Sequence, residues 1–272
     1  MIKSAVTISL VPEARGGPFV FWDDLEEGCR KAKEYGFDAI ELFAPDAATI
    51  KRGDLRRLLN DLGLKLAAAG TGAGYVKHKL TLSSPDPAVR RGAREFVRSI
   101  MEAAGELGAP AIVGSMQGRW GEAVAHADAV GYLRDALQEL GERASGEVSL
   151  LFEPLNRYET NLFNRLHEAA QVLPARGTVK LLADLFHMNI EEGNIEAAFR
   201  EVAGRVGHVH FADSNRRPVG LGHVDMPAVA RVLHDIGYDG YVSAEALPFP
   251  YPDAAARQTM LAFRKYFRPG HA

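Results

Sequence analysis

The chain alternates, eight times over, between a short run of β-branched or aliphatic residues and a longer segment of helical period. That alternation admits one architectural class, a parallel sheet whose connections are helices. The runs that read as strands are Ala5 to Leu10, Ala39 to Phe43, Leu64 to Ala69, Ala111 to Ser115, Val148 to Glu153, Lys180 to Asp184, His208 to Ala212 and Tyr241 to Glu245. The predicted helices are Trp22 to Tyr35, Ala47 to Leu62, Pro87 to Leu107, Ala123 to Arg143, Leu166 to Leu173, Ile195 to Val202, Met226 to Ile236 and Ala254 to Phe267. Several end on a glycine suited to a left-handed cap: Gly36, Gly63, Gly108 and Gly237.

Eight such units of roughly 30 residues have the usual dimensions of a closed (β/α)8 TIM barrel. No glycine-rich dinucleotide fingerprint follows the first run, which removes the main reason to favour an open sheet. With 47% of residues apolar the chain can fill one large core, and no low-complexity linker or charge run divides it. A single α/β domain over residues 1–272 is expected. The long irregular stretch, Gly70 to Pro85, follows the third strand, where a substrate-covering loop is expected.

Charged residues make up 25% of the chain and the net charge is −3. There is no excess of positive charge to neutralise a phosphate backbone or an anionic membrane surface, so neither nucleic acid nor a membrane is an expected partner. The one cysteine, Cys29, has no second thiol to pair with, which excludes a disulfide framework and suits a reducing cytoplasm. Residues Ile2 to Val11 lack a charged leader and a small-residue cleavage site, and read as a first strand rather than a signal peptide.

The chemistry lies at the ends of the last four strands. Glu153, Asp184, His210 and Glu245 each stand at or near the end of an otherwise apolar run. In a TIM barrel those ends form the active-site face, and side chains sharing the inward pleat converge there. Three carboxylates gathered in a low-dielectric site repel one another by several kcal/mol unless a cation sits among them. A divalent ion is the expected one. Oxygen-rich ligation with one nitrogen suits Mn2+ first, with Mg2+ or Co2+ as alternatives, better than structural zinc. The competing reading pairs each acid separately with a Lys or Arg in a structural network. His208, two residues before His210, points to the same face of its strand. His210 is preferred as the ligand because its depth matches Asp184 and Glu245, leaving His208 as a hydrogen-bonded interior histidine.

Three polar segments flank these strand ends: Phe152-Glu153-Pro154-Leu155-Asn156-Arg157-Tyr158-Glu159-Thr160, Ala183-Asp184-Leu185-Phe186-His187-Met188-Asn189, and His208-Val209-His210-Phe211-Ala212-Asp213-Ser214-Asn215-Arg216. With Val242-Ser243-Ala244-Glu245, the Gly220-Leu221-Gly222-His223 loop, and Gly70-Thr71-Gly72 with Tyr75, they resemble the xylose isomerase-like superfamily. Within it the resemblance is to the ketose 3-epimerases typified by D-tagatose 3-epimerase, and the phrasing looks closest to a 5-keto-L-gluconate epimerase branch. The resemblance spans nearly the whole chain. It implies metal ligation by Glu153, Asp184, His210 and Glu245, with Glu153 and Glu245 doubling as the acid/base pair. It further implies that Glu159, His187 and Arg216 hold substrate oxygens, and that the protein forms a homodimer or homotetramer.

Such a site would remove a proton beside a carbonyl and return it, through an enediolate, from the opposite face. Movement of the proton by one carboxylate between neighbouring carbons would give an aldose–ketose isomer instead. Hydroxypyruvate isomerase and inosose dehydratase resemble the same scaffold. A non-catalytic sugar-binding barrel is a further alternative. Endonuclease IV also shares the superfamily, but its extra zinc ions need histidines at the third and fourth strand ends, which here read Ala69-Gly70-Thr71 and Gly114-Ser115-Met116-Gln117.

Other residues carry two readings each. His187 contacts substrate or holds a carboxylate from behind; Arg216 contacts substrate or pairs with Asp213 at the surface. Trp120 stacks on a sugar or packs under a loop. Tyr75 is a candidate for the pocket wall. Glu41 backs a ligand or is an ordinary acid inside the barrel.

Overall fold

The computed structural model describes residues 1–143, 149–175 and 177–268. Nine strands form one sheet: β1 Lys3–Ser9, β2 Phe21–Trp22, β3 Ala39–Phe43, β4 Lys65–Gly70, β5 Ala111–Val113, β6 Leu150–Phe152, β7 Val179–Asp184, β8 Val206–His210 and β9 Tyr241–Ala244. Every pairing is parallel, and β1 pairs with both β3 and β9, so eight strands close into a barrel. The two-residue β2 lies outside that ring, against β1. The fold is a single TIM-barrel domain, as the alternation predicts.

The helices that pack around the ring are α1 Leu25–Tyr35, α2 Ala47–Lys51, α3 Gly53–Leu62, α4 Ala73–His78, α5 Pro87–Gly105, α6 His126–Glu142, α7 Leu166–Ala170, α8 Leu185–Glu191, α9 Ile195–Glu201, α10 Met226–Asp235 and α11 Pro252–Phe267. None is long and apolar enough to cross a membrane. The core lies mostly between barrel and helices, where Ile8, Ile40, Leu42, Phe152 and Phe263 are fully buried. Inside the barrel the filling is smaller. Ala5, Ala39 and Ala67 form one cluster, and Ala68, Ile112, Leu151 and Leu182 another. Side chains alternate along a strand, so Leu182 below Asp184 and Leu151 below Glu153 share the inward face. An apolar floor thus sits one pleat beneath the strand-end acids.

Several expected boundaries move. Asp24 accepts a hydrogen bond from Glu27 N–H, so α1 begins after that cap and Trp22 belongs to β2, not to the helix. The segment Ala47 to Leu62 is two helices, because Arg52 has extended backbone (ψ 125°) and Gly53, a weak helix former, starts the second. The stretch Gly70 to Pro85 is not wholly irregular, since α4 occupies part of it. β5 stops at Val113, and a 3-10 turn at Ser115–Gln117 replaces the end of the predicted strand. β6 begins at Leu150 within the predicted run, whose first residue, Val148, lies outside the described residues. β8 covers Val206–His210, two residues earlier than predicted. Gly36, Gly63, Gly108 and Gly237 all take positive φ, as their cap assignments require. Cys29 is buried in α1; burial first, then Asp24 and Glu26, push its thiol up to about 12. It is a packing residue.

One close approach fixes how α1 seats on β1. A Cβ at Gly28 would lie 2.8 Å from Ile8 Cδ1, so any larger residue there would press on Ile8. Gly28→Ala gains about 1 kcal/mol of helix propensity, but overpacking costs about 1–3 kcal/mol. Net destabilisation of about 1 kcal/mol is expected in urea melts. Trimming the facing side chain in Gly28→Ala/Ile8→Val should then cost less than the two single changes summed; simple additivity would show that the contact does not set the seating.

Candidate active site

Four consecutive strands each deliver one polar group to the same point. Glu153 follows β6, Asp184 ends β7, His210 ends β8 and Glu245 follows β9. One ligand-type atom from each lies within 4.8 Å of the others. The Nδ1 edge of His210 faces Asp184 Oδ2 at 3.1 Å, Glu153 Oε1 at 3.2 Å and Glu245 Oε2 at 3.3 Å. Asp184 also caps α8, its Oδ1 accepting from the N–H groups of Phe186 (2.7 Å) and His187 (3.1 Å), which leaves Oδ2 for the site. This short helix follows the strand directly and brings His187 to the same point.

The opposite edge of His210 is committed. Its Nε2 donates to Glu41 Oε1 at 3.1 Å, and the other oxygen of Glu41 accepts from His208 Nε2 at 2.8 Å. All three groups are buried. Burial opposes ionisation of Glu41, but the charge of His210 and the hydrogen bonds of both histidines outweigh it and hold the carboxyl well below its usual range. Burial likewise works against a proton on His210, yet Glu41, Glu153 and Asp184 together raise it well above the ordinary imidazole value. Glu41 thus holds the imidazoles of His210 and His208 from the side away from Asp184. His208 is the hydrogen-bonded interior histidine.

Whether these residues suit a divalent ion can be tested on unsatisfied groups. Glu153 Oε1 is fully buried without a hydrogen-bond partner, an expensive condition for a carboxylate oxygen. The potential that binds a proton to His210 is the potential a cation would answer, and three carboxylates with one imidazole suit a hard or borderline ion. The residues fit the group. Against separate pairing of the acids, the Lys or Arg that touches them among the described residues is one arginine shared by two. Arg216 Nη1 lies 3.1 Å from Asp184 Oδ2, and Nη2 pairs with Glu245. For Asp184 burial is opposed chiefly by Arg216, and the carboxyl stays below its ordinary range.

Asp213, the surface partner considered for Arg216, is instead taken up by the N–H groups of Ser214, Gly220 and Val224. Arg216 lies over the Phe186 ring, 4.8 Å from its centroid. His187 is buried, which lowers its basicity. Glu159 is half exposed and reaches Asn156 Nδ2 at 3.0 Å.

A cavity of about 400 Å³ opens over these groups, with Glu153, Glu159, His187, Arg216 and Glu245 on its lining. Its other side is apolar. Phe19 stacks on Phe43 with centroids 4.7 Å apart, and Val76 of α4 also lines the space, so α4 contributes part of the cover expected from the Gly70 to Pro85 stretch. Tyr75 is 41% exposed and is not on the lining; the wall residue is its neighbour Val76. Trp120 does not line the cavity either. Its indole N–H donates to the Asn161 carbonyl at 2.7 Å and its ring meets His126 edge-on, so it packs a loop. Asn156, Gln117, Gly114 and the aromatic pair Phe19/Phe43 were not singled out in the sequence. Gln117 donates to the Glu153 carbonyl at 3.1 Å, and a Cβ at Gly114 would lie 2.5 Å from Glu153 Oε2.

Comparison with known proteins adds to this geometry. Residues 29–266 match the family model described as Xylose isomerase-like TIM barrel. An L-ribulose 3-epimerase from Mesorhizobium japonicum is 31% identical over 232 residues, covering 82% of this chain and 75% of that protein. A 3-dehydro-D-guloside 4-epimerase from Escherichia coli is 28% identical over 241 residues, covering 83% and 88%. Among solved structures, the D-psicose 3-epimerase of Clostridium cellulolyticum with D-tagatose superposes with a TM-score of 0.78 at 23% identity, over 97% of this chain and 99% of that one. That last likeness shows the shared fold. The chain belongs to the xylose isomerase-like TIM-barrel family and is an enzyme of its isomerase class.

Proposed function

We propose that this protein is a divalent-metal-dependent epimerase of a ketose or keto-sugar acid, with Glu153 and Glu245 as its acid/base pair. The observation that carries the reading is the order of the site. Glu153 and Glu245 come from the outer two of four consecutive strands, with Asp184 and His210 between them. The metal would be held by Glu153, Asp184, His210 and Glu245, with Mn2+ as first choice. When bound, the ion would supply a positive charge against the negative charge that develops on the substrate oxygens.

Each remaining step falls to the chain's own groups. One carboxylate takes the C–H proton beside the carbonyl, leaving the enediolate; the other, entering protonated, delivers its proton to the opposite face and inverts the centre. Arg216 offsets the oxygen's charge, and His187 and Glu159 orient hydroxyl and carbonyl oxygens. The apolar wall of Phe19, Phe43 and Val76 restricts water over the carbon that exchanges. A carboxylate on each side favours inversion over aldose–ketose isomerisation, which needs one. Relatives named for inversion at C3 and at C4 leave the choice of carbon to the way the substrate enters this cavity.

Glu153→Gln and Glu245→Gln each remove one side of the pair. Metal-loaded enzyme offered a panel of free ketoses and keto-uronates in deuterated water should epimerise with solvent deuterium at the inverted carbon, and each variant should lose turnover by a factor of roughly 100 or more. Turnover at the wild-type rate in either variant removes that carboxylate from the mechanism; no exchange by the wild type across the panel favours a sugar-binding barrel.

Gly114 supplies a milder test. Its added methyl group in Gly114→Ala meets only the far end of Glu153, so the thermal midpoint should move little while kcat falls roughly tenfold or more, because displacement by about 1 Å is costly in a preorganised site. Unchanged kcat would show that the placement of Glu153 is not limiting.

A further inference from the structure

Helix α8 carries two buried polar side chains, His187 and Glu191, and residues four apart share one helix face. That face lies along the turn that follows β6. The backbone N–H of Asn156 points at His187 Nδ1 from 3.3 Å, and the backbone N–H of the next residue, Arg157, donates to Glu191 Oε1 at 2.6 Å. The guanidinium of Arg157 adds two bonds, Nε to Oε1 at 2.9 Å and Nη2 to Oε2 at 3.0 Å. Burial opposes ionisation of Glu191, but the hydrogen bonds and charge of Arg157 outweigh it and hold the carboxyl below its usual range.

The turn is braced within itself. Glu159 N–H donates to the Asn156 carbonyl at 2.9 Å, Tyr158 N–H donates to Asn156 Oδ1 at 3.0 Å, and Asn156 Nδ2 donates to Glu159 Oε1 at 3.0 Å. The same Nδ2 lies 2.8 Å from His187 Nδ1. A braced turn moves as one piece, so its outside ties decide where Glu159 stands. Thr160 Oγ1 donates to the Gly118 carbonyl at 2.8 Å, after Glu159, and Arg119 Nη1 reaches the Tyr158 and Glu159 carbonyls only at 3.5 and 3.3 Å. The bond from Arg157 N–H to Glu191 is shorter than these, and it joins the turn to the helix that carries His187. That helix is itself fixed at its start by the Asp184 cap at the end of β7.

We propose that Glu191 is a positioning residue for substrate binding: by gripping the backbone and guanidinium of Arg157 it sets the turn against α8, and so places Glu159 where it and His187 can hold one substrate. Glu159 Oε1 stands 3.9 Å from His187 Nδ1. The proposal rests on the reading of Glu159 and His187 as substrate contacts. It gives a buried acid that does not line the cavity a part in binding.

Glu191→Ala removes the tie without stranding a buried charge, because the Arg157 side chain is 58% exposed and can turn into solvent. A crystal structure of the variant should show Glu159 displaced by roughly 1 Å or more while α8 keeps its place. With Mn2+-loaded enzyme and the free ketose turned over fastest, KM should rise roughly tenfold while kcat stays within about threefold; a purely structural loss would lower kcat and leave KM alone. The rise should vanish in a Glu159→Ala background, where the carboxylate to be misplaced is already gone. A turn that stays in place in Glu191→Ala overturns the proposal. So does an unchanged KM in Glu191→Ala when Glu159→Ala raises it, or a KM rise that persists undiminished without Glu159. Should Glu191→Ala fail to fold, Glu191→Asp, one carbon too short for the bond, carries the same measurements. Wild-type KM in Glu159→Ala, with the turn displaced in the Glu191 variant, would instead defeat the substrate-contact reading of Glu159 and leave its placement by Glu191 standing.

Discussion

Like charge gathered at one end of a closed barrel is the constraint to which the rest of the site answers. Glu153, Asp184 and Glu245 present oxygens within 4.8 Å of a shared imidazole, and Asp184 is almost wholly buried. At that spacing each pair of carboxylates repels by on the order of 3 kcal/mol even at an effective dielectric near 20. A fold of ordinary stability, about 5–15 kcal/mol, cannot hold several such repulsions unanswered. Here the imidazole of His210, whose basicity these acids raise, and the guanidinium of Arg216 face them. A divalent ion among the four groups would answer more of the charge and would give the orphaned Glu153 Oε1 a partner.

The barrel makes this concentration of charge tolerable by fixing every participant from behind. His210 is pinned through Glu41 to His208, and Asp184 is pinned by the first N–H groups of α8. Gln117 holds the carbonyl of Glu153, and Gly114 leaves room for its carboxylate. Asn156 does the same for His187 and Glu159. The anchors sit within the barrel strands or in the segments that directly follow them, so the site is built on regular elements of the fold. The apolar floor of Ala68, Ile112, Leu151 and Leu182 separates these polar groups from the rest of the barrel interior.

Much of this was legible in the sequence because both signals involved are periodic. The eight-fold alternation gave the parallel barrel, and acids at strand ends share the inward pleat, so Glu153, Asp184, His210 and Glu245 meet without any knowledge of contacts. The preference for His210 over His208 followed from depth along one strand, and the two histidines do occupy different levels, one at the acids and one behind Glu41. What was hidden depends on contacts between segments far apart in the chain. The role of Glu41 is set by histidines 167 and 169 residues away. Trp120 and Tyr75 are aromatic residues in loops next to the site, and only the packing of those loops excludes them from the cavity. The division of Ala47 to Leu62 and the shortening of β5 turn on single backbone torsions, to which hydrophobic periodicity is blind. Asn156 lay within a segment singled out for its polarity, but the orientation of one amide cannot be read from composition.

The claim that one divalent ion organises these groups is tested most directly by crystals grown with Mn2+ and measured for its anomalous scattering. A single strong peak within about 2.0–2.6 Å of oxygens from Glu153, Asp184 and Glu245 and of Nδ1 of His210 is the predicted result. A map with no peak there, or with manganese bound elsewhere while Arg216 keeps its place against Asp184 and Glu245, would contradict the account.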